Sequence, residues 1–238
     1  MKKTILRIIY DAFADWSSDG RWTCRKGCAS CCTQNVTITA VEGELILEYL
    51  LEQHREHWLV EKLRGTSPHR PKYSINTLAR ACMEGKEVEE EAQPLAHSCP
   101  FLEQDSCAIY PARPFSCRCF LSLHSCSPTR PALVSDHHLA ASTAVNQLIE
   151  HLGQRQYWGN MLDVLPALLD ISAYSSISAL LESPAATITA ARMHTLRGQP
   201  LPGFMLAADE YERVAPLLTT IFQREIYGKT VEALLNGR

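Results

Sequence analysis

Four cysteines, Cys24, Cys28, Cys31 and Cys32, fall within the nine-residue run C-R-K-G-C-A-S-C-C. Three more, Cys99, Cys107 and Cys117, follow in C-P-F-L-E-Q-D-S-C-A-I-Y-P-A-R-P-F-S-C-R-C-F. Thiols at this density restrict a chain to two solutions: pairing as disulfides, or gathering around a metal. The expected compartment favours the metal. The N-terminus M-K-K-T-I-L-R-I-I-Y-D starts like a secretory signal, but Arg7 and Asp11 interrupt its apolar run ahead of Ala12-Phe13-Ala14. No apolar stretch approaches the roughly 20 residues that span a bilayer. The reading is a cytoplasmic protein, where reducing conditions disfavour structural disulfides. Adjacent Cys31 and Cys32 also fit the narrow geometry of a disulfide poorly with near neighbours.

Composition narrows the partners. The 238 residues are 46% hydrophobic and 21% charged, enough to bury a sizeable core. A net charge of -3 supplies no basic field for nucleic acid or anionic lipid, so neither is expected as a partner.

The pattern along the chain is helical. Ile5, Ile8, Ile9 and Phe13 give residues 3–16 one apolar face. Gly20 and Gly27 punctuate a cysteine loop. Thr39 and Glu42 form a capping-box pair at the start of a helix read as continuing to Arg64 and stopping at Gly65. A proline-containing loop over 66–74 precedes a short helix from Ile75 to Met83, and an acidic surface segment covers 84–94. Beyond Cys126, the spacing of Val145, Leu148, Ile149 and Leu152 is helical, and Trp158, Met161, Leu162, Leu165, Leu168 and Leu169 continue it. Ser183-Pro184 reads as a helix start and Gly198 as a stop, with one or two further helices over 207–235. No alternating strand pattern of useful length is seen. The expected architecture is mainly α: a cysteine-cluster metal-binding domain over 1–126 and a helical extension over 127–238 packed on it.

A thiolate is a strong ligand for zinc and for iron–sulfur clusters. The short spacings let one loop present several sulfurs, with Cys99, Cys107 and Cys117 brought in by folding. Seven candidates exceed the four that one centre needs, so either two centres exist or some thiols play supporting or redox roles. Arg113 and Arg118 are read as offsetting the negative charge of a thiolate-rich centre, with Tyr110 and Phe120 as an apolar shell. Cys82, Cys119 and Cys126 are read as packing residues. Asp136-His137-His138 reads as a helix start more than a metal site, and His54 with His57 as a solvated helix face. No phosphate-binding glycine loop, G-x-S-x-G or H-E-x-x-H is present.

The run C-x3-C-x2-C-C, then V-T-I-T-A-V-E, then C-P-F-L and C-x-I-Y-x-x-R-P-x-x-C-R-x-F resembles the cysteine-cluster family described as zinc- or iron-chelating proteins. The likeness covers roughly residues 24–120, about two-fifths of the chain, and its second block is carried by Pro100, Phe101, Leu102, Ile109, Tyr110, Arg113, Pro114, Arg118 and Phe120. It implies a metal-binding protein. Broader relatives of that family include flagellin lysine N-methylases, which imply an iron–sulfur centre and methyl transfer from S-adenosylmethionine. Cys24-x3-Cys28-x2-Cys31 also has the spacing of the radical S-adenosylmethionine motif, but Ser30 stands where an aromatic residue usually precedes the third cysteine. The expected function is therefore metal binding through an iron–sulfur cluster or zinc. The alternatives are an iron–sulfur-dependent methyl-transferring or redox enzyme, and a zinc-stabilised module whose C-terminal helices contact a protein partner. The split of ligands between two blocks leans the expectation slightly to iron–sulfur, since paired C-x2-C zinc knuckles are lacking.

Overall fold

Ile5, Leu6, Ile9, Tyr10 and Phe13 share one face, and all are buried where Lys2–Trp16 forms helix α1. The computed structural model describes residues 1–66, 68–91, 97–127 and 129–237. After the first cysteine loop comes strand β1 (Thr37–Thr39), which runs into α2 (Ala40–Glu52) through the expected capping box. Helices α3 (Glu56–Leu63) and α4 (Ile75–Met83) follow. The second cysteine block holds β2 (Leu102–Glu103), β3 (Ser106–Cys107), a 3-10 turn at Tyr110–Ala112 and the single-turn helix α5 (Phe115–Arg118). Beyond it lie α6 (Asp136–Leu152), β4 (Tyr157–Asn160), α7 (Met161–Ala167), α8 (Ser175–Ser178), α9 (Pro184–Met193) and β5 (Leu196–Arg197). The C-terminal part is α10 (Ala208–Gln223), the hairpin β6 (Glu225–Ile226) with β7 (Lys229–Thr230), and α11 (Val231–Leu235). The fold is mainly α.

Several expectations need correction. The helix read as running to Arg64 breaks after Glu52. There His54 takes a left-handed φ of 53°, with Arg55 N–H donating to Leu50 O and His54 N–H to Leu51 O. This is a Schellman stop, usually made by glycine, which is why the sequence conceals it. His54 is therefore off the helix that carries His57. Trp158 belongs to a strand: β4 is the middle of an antiparallel three-stranded sheet, with Thr39 opposite Trp158 and Leu196 opposite Trp158 on the other side. The pairing is non-local, so local periodicity misses it. Gly198 does not end a helix, since α9 stops at Met193. Its role is close packing: a Cβ there would meet the Gly153 carbonyl oxygen at 2.8 Å. Cys82 is exposed instead of packed. The buried face of α4 is set by Asn76 and Ala79, because the Asn76 amide donates to the carbonyls of Gln147 and Gln199. Of the acidic segment, positions 92–94 lie outside the described residues, as does position 67 of the preceding loop.

Two apolar cores hold these elements, and each draws on residues from both sides of Cys126. One joins α1, Phe115, Cys119, α6, α10 and α11. The other joins α2, α3, Phe101, Ile109, α7 and Ile188. No helix among the described residues is long and apolar enough to cross a membrane.

One half-buried histidine ties the C-terminus to α6. The His151 Nε2–H donates to Leu235 O at 3.2 Å, and Nδ1 accepts from Leu201 N at 3.1 Å. Burial lowers its pKa from the ordinary 6.5, and the nearby Lys2 charge acts in the same direction against the pull of the Leu235 carbonyl. A lowered folded pKa means that this stabilisation is complete above the unfolded value and fades as pH falls from about 6.5 through the folded value. The thermal midpoint of the wild type should therefore drop between about pH 7.5 and pH 5. His151→Gln should be less stable at neutral pH but flatter across that window, and equal slopes for the two proteins would contradict the assignment.

Candidate metal centre

The first cysteine loop is bound to the second block through the backbone. Gln34 N–H donates to His97 O, Cys99 N–H donates to Cys32 O at 3.0 Å, and Thr33 forms an antiparallel bridge with Ser98. Cys32 and Cys99 are thus held side by side. Cys28 and Cys32 each close a turn, with their N–H groups donating to Arg25 O and Ala29 O. Gly27 makes the first turn possible with a φ of 91°, and it faces open space.

The second block is folded by local turns. Leu102 pairs with Cys107 across the β2–β3 hairpin, whose two turn residues, Gln104 and Asp105, both have positive φ. Ala108 N–H donates to Phe101 O, which brings Cys107 back over Cys99. Cys117 sits on α5. That short helix is anchored by Phe115 N–H donating to the buried Glu42 carboxylate at 2.9 Å and by the Ser116 hydroxyl donating to Thr37 O at 2.9 Å.

All seven expected ligands, Cys24, Cys28, Cys31, Cys32, Cys99, Cys107 and Cys117, line one cavity of about 460 Å³. No histidine or carboxylate is among the described residues of its wall. The rest of the wall includes Phe101, Ile109, Tyr110, Arg113, Phe120 and Met161. As the side chains stand, no three Cys, His, Asp or Glu among the described residues converge closely enough to hold a metal ion. The thiols surround a space without meeting at a point, and all are free of disulfides.

Burial governs their ionisation. It pushes the Cys99 thiol up to about 11, helped by the Cys107 charge. It raises Cys117 further, with the charges of Cys99 and Cys107 adding, while Arg113 pulls the other way. Cys107 is raised by burial and eased by Arg113. Cys32 alone shifts down, because the Cys31 thiol donates to it, and Cys31 rises for the same reason.

The two arginines separate. Arg113 lies at the cavity wall, stacked over Tyr110 at 4.0 Å, with its Nε buried and unpartnered. Arg118 points elsewhere: its guanidinium donates to Arg113 O and Pro111 O and lies 4.6 Å over Tyr10. It braces the turn that precedes α5 and does not face the thiols. Phe120 lines the cavity mouth but is 46% exposed. Cys119 is buried in the first core. His138, expected at a helix start, is buried on α6 against Phe13, Trp16 and Trp22, and its Nε2–H donates to Cys119 O.

Met161, read from the sequence as part of a helical apolar face, and Cys126, read as a packing residue, both stand on cavity walls. Met161 arrives through β1–β4 pairing, with its N–H donating to Val36 O. Cys126 lines an adjoining cavity of about 480 Å³ together with Cys24 and Cys28. Neither has a local signal, although a tenth cysteine so close to the second block could have raised the question. The short antiparallel sheet is not the partial barrel of radical S-adenosylmethionine enzymes, so the spacing of Cys24, Cys28 and Cys31 is better explained by the split cavity. Comparison of the chain with family models, with curated proteins and with solved structures gives no match.

Proposed function

We propose that this chain binds a thiophilic metal through its clustered cysteines, as an iron–sulfur cluster or as zinc, in the manner of the cysteine-cluster proteins it resembles in sequence. The observation that carries the reading is the single cavity into which both cysteine blocks deliver all seven thiols, with no histidine or carboxylate on its described wall. Such a donor set suits soft and borderline metals and disfavours magnesium or calcium. Thiol–thiol hydrogen bonds such as Cys31 to Cys32 are weak and give the seven sulfurs no common attraction. A metal supplies it by displacing the protons, so convergence of the ligands and binding are one event. Arg113 beside Cys107 and Cys117 offsets the net negative charge that several thiolates leave.

Elemental analysis and absorbance of anaerobically purified protein test this reading. Stoichiometric iron with sulfide and a brown colour supports the iron–sulfur form, and stoichiometric zinc in a colourless protein supports the zinc form. Protein free of both metals would refute the proposal. A second reading, an enzyme that uses an iron–sulfur centre with S-adenosylmethionine, is favoured by the room in the cavity beside Tyr110 and Arg113. A change in the spectrum of the reduced cluster on adding S-adenosylmethionine would support it, and an unchanged spectrum would reject it. The third reading is a zinc-stabilised module that meets a protein partner through its C-terminal helices.

A further inference from the structure

The eight cysteines on the two adjoining cavities fall into two groups of four. Cys32, Cys99, Cys107 and Cys117 are tied together by the Cys99–Cys32 backbone bond, the Leu102–Cys107 pairing and the anchored α5. On the other side, Thr23 N–H donates to Ser122 O at 2.9 Å, and Ser122 N–H donates to the Cys24 sulfur at 3.2 Å. The Ser122 hydroxyl donates to His124 O and accepts from Leu133 N–H, which fixes the turn leading to Cys126. Cys24, Cys28 and Cys126 share the wall of the second cavity. The vicinal pair divides between the groups: Cys32 is tied to Cys99 through the backbone, whereas the exposed Cys31 forms a C-x2-C pair with Cys28. Arg113 lines the first cavity, Arg25 lines both, and Asp105 lines the second.

We propose that these are two four-thiol centres: an inner one of Cys32, Cys99, Cys107 and Cys117, and an outer one of Cys24, Cys28, Cys31 and Cys126. Each takes one thiophilic ion, with four thiolates as the complete tetrahedral set. The proposal rests on the metal-binding reading above and adds its stoichiometry, its division and one ligand, Cys126. Binding at each centre breaks four S–H bonds and forms four metal–sulfur bonds, with the protons passing to solvent and no change of oxidation state.

Titration of reduced, metal-free full-length protein with cadmium, followed by its thiolate charge-transfer absorbance, tests the proposal. The wild type should saturate at two equivalents. Cys126→Ser and Cys24→Ser should each keep one tight equivalent, with the other weakened beyond the roughly 10–100-fold that loss of an outer-shell partner costs. Cys82→Ser, at an exposed thiol away from both cavities, should behave like the wild type. Saturation of the wild type at one equivalent would overturn the division into two centres. Two equivalents of unchanged affinity in Cys126→Ser would overturn the assignment of Cys126, and Cys24→Ser provides the same test of the outer group should Cys126→Ser not fold. A wild type that takes up no cadmium would refute the metal-binding reading itself, an outcome distinct from the other two.

Discussion

Cys117→Ser is expected to lose the metal of its own centre and to cost the folded chain most of the stabilisation that this metal provides. Cys117 is carried on a four-residue helix whose position is set by Glu42 and Thr37, so its sulfur is delivered by the fold. A serine oxygen is a poor replacement for a thiolate at a soft metal. A metal present at 1,000 times its dissociation constant stabilises the folded state by about 4 kcal/mol, and loss of a ligand forfeits most of that. Metal content and thermal midpoint, each measured with and without a chelator, check this. The variant should fall well below the wild type in the presence of metal and lie close to it once both are stripped. Cys28→Ser and Cys107→Ser should behave alike, and full metal retention in all three variants would refute the ligand assignment.

The second large effect is expected at Glu42. Its carboxylate accepts from Thr39 N–H at 2.8 Å, the Thr39 hydroxyl at 3.1 Å, the Tyr10 hydroxyl at 2.9 Å and Phe115 N–H at 2.9 Å. One side chain thereby caps α2, fixes α1 against it and positions α5. Burial raises its pKa from the ordinary carboxylate value, and the four donors hold it back. Glu42→Ala strips the capping box and leaves two buried donors on other elements without a partner. At about 1–3 kcal/mol for each orphaned donor and about 1 kcal/mol for the cap, the loss should be about 3–7 kcal/mol. Glu42→Gln keeps the shape but turns an amide N–H₂ toward one donor, so it should fall between alanine and wild type. Denaturant midpoints measure both, and a loss under about 1 kcal/mol in the alanine variant would show that the network contributes little. Because α5 carries Cys117, metal affinity should weaken in Glu42→Gln as well.

Much of the helical fold is local and was legible. The apolar face of α1, the Thr39–Glu42 capping box and the boundaries of α4 all follow from spacing and cap chemistry within a few residues. What local pattern could not provide was the stop at His54, where a histidine takes the place usual for glycine, and the strand at Trp158, which exists only through its partners in β1 and β5. Cys82 was misread because a polar residue, Asn76, sets the buried face of its helix by bonding to distant carbonyls.

The candidate site divides along the same line. Seven of its thiols stood out by density alone, because so many soft ligands in so few residues have few uses. Their grouping did not. Cys32 meets Cys99 through backbone bonding across a long stretch of chain, and Cys126 meets Cys24 through Ser122. Arg113 and Arg118, equivalent in the motif, part company because one stacks on Tyr110 at the cavity and the other braces carbonyls over Tyr10. The sequence by itself determined the donor chemistry, since residue type fixes what a side chain can ligate. Only the tertiary structure decided which sulfurs share a cavity, since that depends on hydrogen bonds between segments that no local spacing encodes.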